Sequence, residues 1–473
     1  MQPVSRLPPE ILSHIIWYIP EEDARDASSI IRVTHVCRYW RNSIVSTPEN
    51  WSRISNQPIG LAKLSLERCK AAPLELWLDI SWFGVTPEFS DLIAPYIHNT
   101  KVLGVRCGLA QEQLARTVQN ILPSMHDLRS LSLFGHSQGS GLWDWLTDPF
   151  GQLTSSLTHL SLSDTPLCPS FMRLKFLTVF ELDHSQFNLH LDVLLDFLEQ
   201  NRSLERAVLS MQFASPSLRS SRRRMPMKNR LRDLWISSDC AVDIDALISK
   251  VAVQEGAHLT VGLFGDAESK DICSIVSTTH LLNLRSPTFM EYYSDRGADL
   301  RTIRLLGKNG SFSLNRYPEA EALFVEFPLL PLGDIRTFHL KHRLSIFDLS
   351  DPVPTVFPPL FLPALETFAI EHETALSYLL SALFSNPFSS PSLKTFAFLD
   401  CRIDQKFMKE LTRFASNRGK STSARLHRVV IVNSAGQLPP FTLIGELGKY
   451  VPVVDVHIGK DLPSDLKWNG VVY

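Results

Sequence analysis

Hydrophobic residues recur at helical spacing in two stretches of the first fifty residues. Pro8 and Pro9 suit the first turn of a helix, where a missing N–H costs nothing. The stretch that follows carries one apolar stripe at steps of three and four, made of Ile11, Leu12, Ile15, Ile16 and Ile19. A second stretch repeats this spacing at Val33, Val36, Cys37, Trp40 and Ile44. Thr47 before Pro48 is typical of a helix N-cap, so the sequence predicts a short third helix that carries Trp51.

From about Leu74 onward, one short pattern returns along the chain: L-x-x-L-x-L, with other apolar residues substituted for leucine. The alternation in x-L-x-L is that of a strand with one buried face. Successive copies start roughly 20 to 35 residues apart, at or above the period of leucine-rich repeats. The clearest copies start at Leu128, Leu157, Leu177, Leu231, Leu300, Ile335, Leu365, Leu393, Leu426 and Val453, and weaker ones start near Leu74, Val102, Leu204 and Leu259.

Amphipathic helical stretches lie between some of these copies. One apolar face comprises Phe407, Met408, Leu411, Phe414 and Ala415, and another comprises Val193, Leu194, Phe197 and Leu198. Strands and helices with one apolar face each can stack so that every unit covers its neighbour. We therefore predict an α/β fold in which a three-helix unit, residues 1–55, precedes a leucine-rich-repeat-like solenoid, residues 56–473. The solenoid has a parallel sheet on its concave face and helices outside.

Composition narrows the class of protein. The chain has 473 residues and a formal net charge of −2, so nothing global favours nucleic acid or an anionic membrane as a partner. No apolar run approaches the length that crosses a bilayer, and a proline-led amphipathic helix stands where a signal peptide would begin. The seven cysteines are scattered, without a C-x-x-C pair, which favours a reducing compartment, the cytoplasm or the nucleus.

The N-terminal motifs resemble the F-box. The order is L-P-x-E-I-L from Leu7, then V-C-R-x-W-R from Val36, then Trp51 after a proline-containing turn. With the strand-like segment Ala72–Leu78, the chain is similar to fungal F-box proteins with degenerate leucine-rich repeats. The resemblance implies that the helices bind a Skp-type adaptor and, through it, a cullin–RING ubiquitin ligase. The residues that it assigns to adaptor binding are Leu7, Pro8, Ile11, Leu12, Ile15, Ile16, Val36, Cys37 and Trp40.

The repeat region is expected to hold a protein target of unknown identity, so that the chain acts as the substrate-recognition subunit of an SCF-type ligase. The binding surface should be built from the polar positions of the repeat strands, which on the predicted phase lie on the concave face. These positions are Arg129, Ser132, His159, Ser161, Glu181, Arg301, Arg304, Arg336 and His339. The alternative is a protein-binding scaffold whose F-box no longer engages a ligase.

A third hypothesis is a serine hydrolase. Gly135-His136-Ser137-Gln138-Gly139 matches the G-x-S-x-G nucleophile elbow. The strand before it alternates Leu-Ser-Leu, whereas an elbow strand is buried on both faces and nearly all apolar. No oxyanion segment of the H-G-G-G type precedes it, and the same strand is one copy of the repeat. We therefore interpret the motif as a loop and expect no catalytic residues and no enzymatic activity.

Two further clusters invite functional interpretations. The stretch Ser217–Arg232 is rich in arginine and lysine without an acid, which suits a nuclear import signal or an acidic partner. We favour a solvated loop between repeats. His339 and His342 point to opposite faces of a strand, so they cannot share a metal ion easily, and Glu371-His372-Glu373 is interpreted in the same way as ordinary surface. The sequence predicts no metal and no cofactor.

Overall fold

The computed structural model describes the chain in segments: residues 7–17, 27–55, 58–79, 86–106, 120–135, 156–165, 167, 169–213, 230–248, 250–251, 253–263, 287–295, 300–308, 310–316, 333–343, 362–371, 383–384, 390–401, 403–420, 424–433 and 439–458. The backbone divides into two compact units, Met1–Ser221 with Met227–Leu231, and Arg222–Pro226 with Arg232–Tyr473. The described residues form a mixed α/β structure with seventeen strands. The predicted domain boundary at residues 55 and 56 stays a prediction.

The first unit begins with helices α1 (Pro9–Trp17), α2 (Ala27–Thr34) and α3 (Arg38–Ser46), followed by a 310 helix (Pro48–Trp51). The prediction of one continuous helix through Val33 and Ile44 is wrong. Cys37 is extended, with φ −160°, and its Sγ accepts a hydrogen bond from the Trp40 N–H at 3.5 Å. A side chain that satisfies a first-turn N–H begins a new helix, so α3 starts there instead of continuing α2.

The turn at Thr47 also differs in detail from the prediction. Thr47 precedes the 310 helix as its N-cap residue, with Pro48 first in the helix as predicted, but its side chain makes no capping hydrogen bond. Its hydroxyl instead donates back to the Ser43 carbonyl oxygen at 2.8 Å. The turn therefore closes against α3, and Trp51 at its end is fully buried.

The seven described strands of the first unit form a parallel sheet. Each strand pairs with the next along the chain, in the order β1 (Arg53–Ser55), β2 (Leu74–Asp79), β3 (Thr100–Arg106), β4 (Ser130–Phe134), β5 (His159–Ser163), β6 (Val179–Leu189) and β7 (Arg206–Phe213). The connections contain helices α4 (Ile59–Cys69), α5 (Pro87–Ile93) and α6 (Leu191–Gln200), and 310 helices at Ala94–Asn99, Leu122–Ser124 and Pro169–Arg173.

The second unit has ten described strands and three described helices. The strands are β8 (Asp233–Ser238), β9 (His258–Leu263), β10 (Phe289–Asp295), β11 (Leu300–Gly307), β12 (Gly310–Arg316), β13 (Thr337–Arg343), β14 (Thr367–Glu371), β15 (Thr395–Leu399), β16 (Arg428–Asn433) and β17 (Val453–Ile458). The helices are α7 (Ala241–Ile248), α8 (Gln405–Gly419) and α9 (Phe441–Leu447). Paired strands follow the spatial order 8, 9, 12, 11, 10, 13, 14, 15, 16, 17.

The expectation of a wholly parallel sheet is wrong at β11, which runs antiparallel to both β10 and β12. Only Lys308 and Asn309 separate β11 from β12, and so short a connection can join only antiparallel strands. Gly310 follows with φ +119°, in the region that favours glycine, and a Cβ there would collide with the Ala257 carbonyl oxygen. The hairpin therefore lies between β9 and β10 and separates their edges.

One face of each sheet is apolar, as the repeat pattern predicts. In the first unit Leu131 and Leu133 on β4 are fully buried, with Leu160 and Leu162 beside them on β5. In the second unit Phe338, Phe368 and Phe396 align on three adjacent strands, with ring centroids 5.3 and 5.8 Å apart. The helix predicted from the apolar face between Phe407 and Ala415 is confirmed as α8. The ring centroids of its buried Phe407 and Phe414 lie 5.1 Å from Phe398 and 5.8 Å from Phe396.

Two adjacent strands of this second unit share a three-residue sequence in register. Thr367-Phe368-Ala369 on β14 pairs residue for residue with Thr395-Phe396-Ala397 on β15. The phenylalanines face the helical side, and the threonines and alanines face the other side, because successive residues of a strand point to opposite faces. In the described part of the chain, no helix has the length and the apolar composition needed to cross a membrane.

Candidate functional site

Three apolar side chains stand out on the surface of the N-terminal helices. Ile11 and Ile15 on α1 are 45% and 40% exposed, and Val36, between α2 and α3, is 60% exposed. Leu12, between the two isoleucines in sequence, is only 1% exposed because it points into the helical unit. The unit therefore leaves part of its apolar stripe in solvent. Val45 on α3 is a fourth exposed apolar residue, at 37%. Single exposed apolar residues are common, but several within one small unit favour a contact surface.

The interior of this helical unit is fixed by specific contacts. Ile30, Ile44 and Trp51 are buried with Leu12. The Trp51 Nε1–H donates to the carbonyl oxygen of Ile44 at 2.9 Å, which attaches the 310 helix to α3. The Tyr39 hydroxyl donates to the Leu7 carbonyl oxygen at 2.6 Å, which attaches α3 to the start of α1. The exposed residues thus lie on helices whose relative placement is set by buried groups.

The other residues assigned to adaptor binding occupy different environments. Pro8 and Cys37 are exposed, and Leu7 and Trp40 are half-buried. The Trp40 Nε1–H is buried and has no hydrogen-bond acceptor in the part of the chain that the structure describes. The side chain of Ile16 lies outside the described atoms. Leu12 faces the interior, so in this structure it supports the helices from within. Adaptor contact by any of these residues stays a prediction.

On the first unit, the sheet face opposite the apolar core carries small and polar residues. Ser132, Ser161 and Glu181 align across β4, β5 and β6. Glu181 lies 3.8 Å from the His159 Nε2 and 3.8 Å from the Arg206 Nη2. The His159 imidazole holds the pKa of Glu181 below its ordinary value, with smaller contributions from Arg206 and Ser161, while burial acts in the opposite direction. This face therefore presents an ionised carboxylate between two possible cations.

An aromatic group flanks this polar row. The ring of Trp77 on β2 lies over Gly104 on β3, where a Cβ would overlap it. The Trp77 and Phe134 ring centroids are 6.3 Å apart, and the Arg106 guanidinium lies 5.8 Å from the Phe134 centroid. No sequence motif marks Trp77 as part of this surface. Its signal was a tryptophan and a glycine at equivalent positions of successive repeats, which becomes visible only with the register.

The second unit places a histidine where the sequence predicts exposed surface. His339 is fully buried, so its assignment to an open binding surface is wrong. Its Nε2 lies 3.1 Å from Glu371 Oε2 and its Nδ1 lies 3.7 Å from Glu291 Oε1. Arg304 and Lys341 approach the outer oxygens of these carboxylates at 4.0 and 3.3 Å. The buried ring thus lies between two carboxylates, and each carboxylate also faces a cation, Arg304 or Lys341, so polar groups of adjacent strands surround it.

This cluster does not form a metal centre. The two carboxylates approach opposite nitrogens of one imidazole ring, so a single ion cannot contact all three groups. The described residues contain no set of three or more His, Cys, Asp or Glu side chains that could hold a metal ion. The side chains of His342 and His372, which the sequence interpretation treats as ordinary surface, lie outside the part of the chain that the structure describes.

The polar surface predicted for the repeat strands is discontinuous. Beside His339 the same sheet face becomes apolar and buried, with Ala369, Ala397, Leu399, Val430 and Val432 in one cluster. Among the other predicted target-binding residues, Arg129 and Arg336 are exposed, His159, Ser161 and Arg304 are half-buried, and Ser132 is buried. The side chain of Arg301 lies outside the described atoms. The predicted surface is therefore best represented on the first unit.

The proposed nucleophile elbow falls outside the described residues, because the structure describes Gly135 but not Ser137. Elsewhere a serine and a histidine do meet: His258 Nδ1 and Ser311 Oγ are 2.6 Å apart on paired strands. The Ser311 N–H donates to the Ala257 carbonyl oxygen at 3.3 Å, so it cannot stabilise an oxyanion. Ser311 is also largely buried. The contact is a cross-strand hydrogen bond of the sheet.

Comparison with known families gives one match. Residues 4–57 match the model of the F-box-like family. The matched segment includes α1, α2, α3, the 310 helix and β1, and therefore the exposed residues Ile11, Ile15 and Val36. A comparison with curated proteins gives no match.

Proposed function

We propose that this chain, which carries an F-box-like region at residues 4–57, is the substrate-recognition subunit of an SCF-type ubiquitin ligase. An F-box-like region suggests a role in ubiquitin ligase complexes. The observation that carries the finer proposal is that Ile11, Ile15 and Val36 leave apolar surface exposed within that region. Exposed apolar surface on a small helical unit favours a protein partner, since burying it releases water. A Skp-type adaptor linked to a cullin–RING ligase is the partner that we propose.

Trp40 supports the same assignment. It lies on α3 in the matched region and is half-buried, while its indole N–H has no acceptor in the described part of the chain. A buried N–H without an acceptor is unfavourable. The buried N–H lies away from solvent, so what the ring offers an adaptor is its exposed edge, which a partner would cover. Tryptophan residues of this kind contribute strongly to protein–protein affinity.

The proposed target surface is the polar face of the first unit's sheet. Ser161 and Glu181 provide half-buried hydrogen-bonding groups on adjacent strands, and Trp77 provides an aromatic surface on the same face. Mixed aromatic and polar groups are typical of surfaces that recognise proteins. We extend the proposal to a leucine-rich-repeat-like solenoid for the remainder of the chain, and to residence in the cytoplasm or the nucleus.

In this proposal the chain performs no bond chemistry. The F-box-like helices hold the adaptor, the sheet holds the target, and ubiquitin transfer occurs on other subunits. The contribution to rate is proximity, because two partners tethered in one complex meet at a high effective concentration.

A pull-down with a purified Skp-type adaptor tests this function directly. The full chain should retain the adaptor, and the double variant Ile11→Asp/Ile15→Asp should lose it, because two charges would have to be desolvated at the interface. The matched control is Phe441→Asp, the same kind of change at a residue that is 80% exposed on α9. Retention by Phe441→Asp and loss by the double variant would support the proposal. Absence of binding by the unaltered chain would instead favour the protein-binding scaffold with a vestigial F-box.

A further inference from the structure

We infer that Arg68, which lies outside residues 4–57, is a positioning residue for the surface that would bind the adaptor. The inference rests on the proposed function for its consequence, but its structural part stands on contacts alone. Arg68 belongs to α4, the first helix after the F-box-like match. Its effect would reach the exposed residues through Trp51 and α3. The adaptor-binding surface would then depend on a side chain outside the matched F-box-like region.

The first contact of this path is between a cation and an aromatic ring. The Arg68 guanidinium carbon lies 4.3 Å from the centroid of the Trp51 ring. Trp51 is fully buried and Arg68 is half-buried, so water is largely excluded from the contact. A guanidinium over an indole face is attractive, and more so where the pair is desolvated. Arg68 therefore holds the Trp51 ring from the side of the sheet.

The path continues from Trp51 into the helices that carry the exposed residues. Trp51 donates to Ile44 at 2.9 Å, and Ile44 lies near the end of α3. On the same helix, the Arg41 Nε–H donates to the Thr34 carbonyl oxygen at 3.1 Å, which fixes the break between α2 and α3 where Val36 lies. The Tyr39 hydroxyl donates to Leu7 at the start of α1. Each step is a direct contact between named groups.

A second attachment holds the residue that directly follows the 310 helix. The Ser52 carbonyl oxygen accepts the Glu75 N–H at 3.0 Å, and β1 pairs with β2 from Arg53 onward. The Arg53 Nε–H also donates to Glu75 Oε2 at 2.9 Å, with both side chains about four-fifths buried. Glu75, like Arg68, lies outside the F-box-like match. The sheet therefore restrains the 310 helix at Ser52 while Arg68 restrains it at Trp51.

The local structure needs such restraint. A 310 helix of four residues has poor hydrogen-bond geometry and little stability of its own. A unit of about fifty residues buries a small share of its surface, so each outside contact is a large fraction of its stability. Loosening Trp51 should therefore loosen α3, and with it the placement of Trp40 and Val36 relative to Ile11.

The experiment compares full-length variants by hydrogen exchange and by adaptor affinity. Arg68→Met keeps the aliphatic stem and removes the cation, Arg68→Lys keeps a cation, and Lys63→Met is the control, an exposed lysine on the same helix. We expect exchange within Arg38–Ser46 to accelerate in Arg68→Met, with adaptor affinity falling about threefold to thirtyfold, as for one cation–π contact. Arg68→Lys should recover part of both effects, and Lys63→Met should match the unaltered chain.

Exchange in β4 and β5 shows whether Arg68→Met has unfolded the sheet itself. If it has, Arg68→Gln, which also removes the cation but keeps a polar side chain, replaces it as the test, with the same expectation for residues 38–46. Unchanged exchange there in a folded Arg68→Met chain overturns the inference. If the unaltered chain binds no adaptor, the proposed function fails, and the exchange measurement alone still decides whether Arg68 positions α3. Faster exchange with unchanged adaptor affinity overturns the link between Arg68 and docking.

Discussion

Arg418 Nη2 donates to the carbonyl oxygen of Leu393 at 2.8 Å, in the interior of the second unit. The same guanidinium donates to the carbonyl oxygens of Ser390 at 3.0 Å and Pro391 at 3.3 Å, and it lies 5.5 Å from the Phe414 ring centroid. Burial lowers the pKa of Arg418 to about 10, so it remains a cation at neutral pH. One side chain near the end of α8 thus satisfies three carbonyl groups in the turn that leads into β15.

Replacing Arg418 should destabilise the second unit. Arg418→Met keeps most of the side-chain volume but removes the donor to the buried Leu393 carbonyl group and one donor to Ser390, which should lower the free energy of unfolding by about 2–3 kcal/mol. Arg413→Met, an exposed arginine on the same helix, should change it by less than about 0.5 kcal/mol. Urea denaturation followed by circular dichroism measures both. Equal free energies of unfolding for the two variants would show that these hydrogen bonds make no net contribution to stability.

Glu366, which directly precedes β14, and Glu371, which ends it, should differ in how much stability the chain loses when each is replaced by glutamine. Glu371 is 10% exposed and faces the buried His339 and Lys341, whereas Glu366 is 42% exposed and lies 3.9 Å from Lys394. Glu371→Gln should lower the free energy of unfolding by about 1–3 kcal/mol, because it removes a charge from a desolvated cluster. Glu366→Gln should cost about 0–1 kcal/mol, as exposed ion pairs do. Chemical denaturation of both variants in one buffer makes the comparison. A Glu366→Gln variant less stable than Glu371→Gln would contradict this prediction.

Gly104 should tolerate no side chain while Trp77 remains. A Cβ at Gly104 would overlap the indole ring, so Gly104→Ala should destabilise the first unit by about 1–3 kcal/mol. Gly60→Ala is the control, since no atom lies within 4 Å of its Cβ position in α4 and alanine favours a helix by about 1 kcal/mol. The midpoint temperature of thermal unfolding should therefore fall for Gly104→Ala and rise for Gly60→Ala. The double variant Trp77→Leu/Gly104→Ala should lose less stability than the two single changes added together.

The ionisation of Glu181 should depend on His159. Because the folded-state pKa of Glu181 is lowered, its contribution to stability is present above its unfolded pKa and is lost as pH falls through the folded value. His159→Gln should raise the pKa of Glu181 toward its ordinary value, and stability should then fall less steeply on acidification. Carbon-detected NMR titration of the glutamate carboxyls measures the shift. His98→Gln, an exposed histidine of the same unit, should leave the Glu181 titration in place.

Ser137 should behave as an ordinary loop residue. The Gly135–Gly139 motif follows a repeat strand whose Ser130 and Ser132 alternate with buried leucines, unlike the apolar strand of a nucleophile elbow. Ser137→Ala should change stability by a few tenths of a kcal/mol. A fluorophosphonate probe should not label the unaltered chain at this residue. Labelling that disappears in Ser137→Ala would establish a serine hydrolase instead.

The sequence predicts strand positions well where one face alternates with the other. Leu131 and Leu133, or Leu160 and Leu162, specify a buried face by a period of two, and β4 and β5 lie there. The β11–β12 hairpin is not predicted by the repeat pattern, because a regular repeat places each strand parallel to the next. The turn Lys308-Asn309-Gly310 and the alternation Ser311-Phe312-Ser313-Leu314 were its local signals.

Side-chain environment was harder to predict than strand position. His339 occupies a position that a period of two assigns to solvent, but Glu291 and Glu371 come from strands far away in sequence and make its burial possible. The α1 stripe poses a related difficulty. Ile11, Leu12 and Ile15 satisfy the same helical pattern, and only packing against the other helices shows that Leu12 is the buried one. Periodicity indicates an apolar stripe but not which part of it remains exposed.

The shared Thr-Phe-Ala segment of β14 and β15 has an evolutionary consequence. The two strands present the same three residues at the same register. Either strand could therefore pair with the strand that now lies beside the other one. A duplication or deletion of one strand and its connection at this point would leave compatible edges and an unbroken phenylalanine column. The sheet could thus gain or lose a strand through a single in-frame recombination event, and homologous chains of different length are the expected trace of such events.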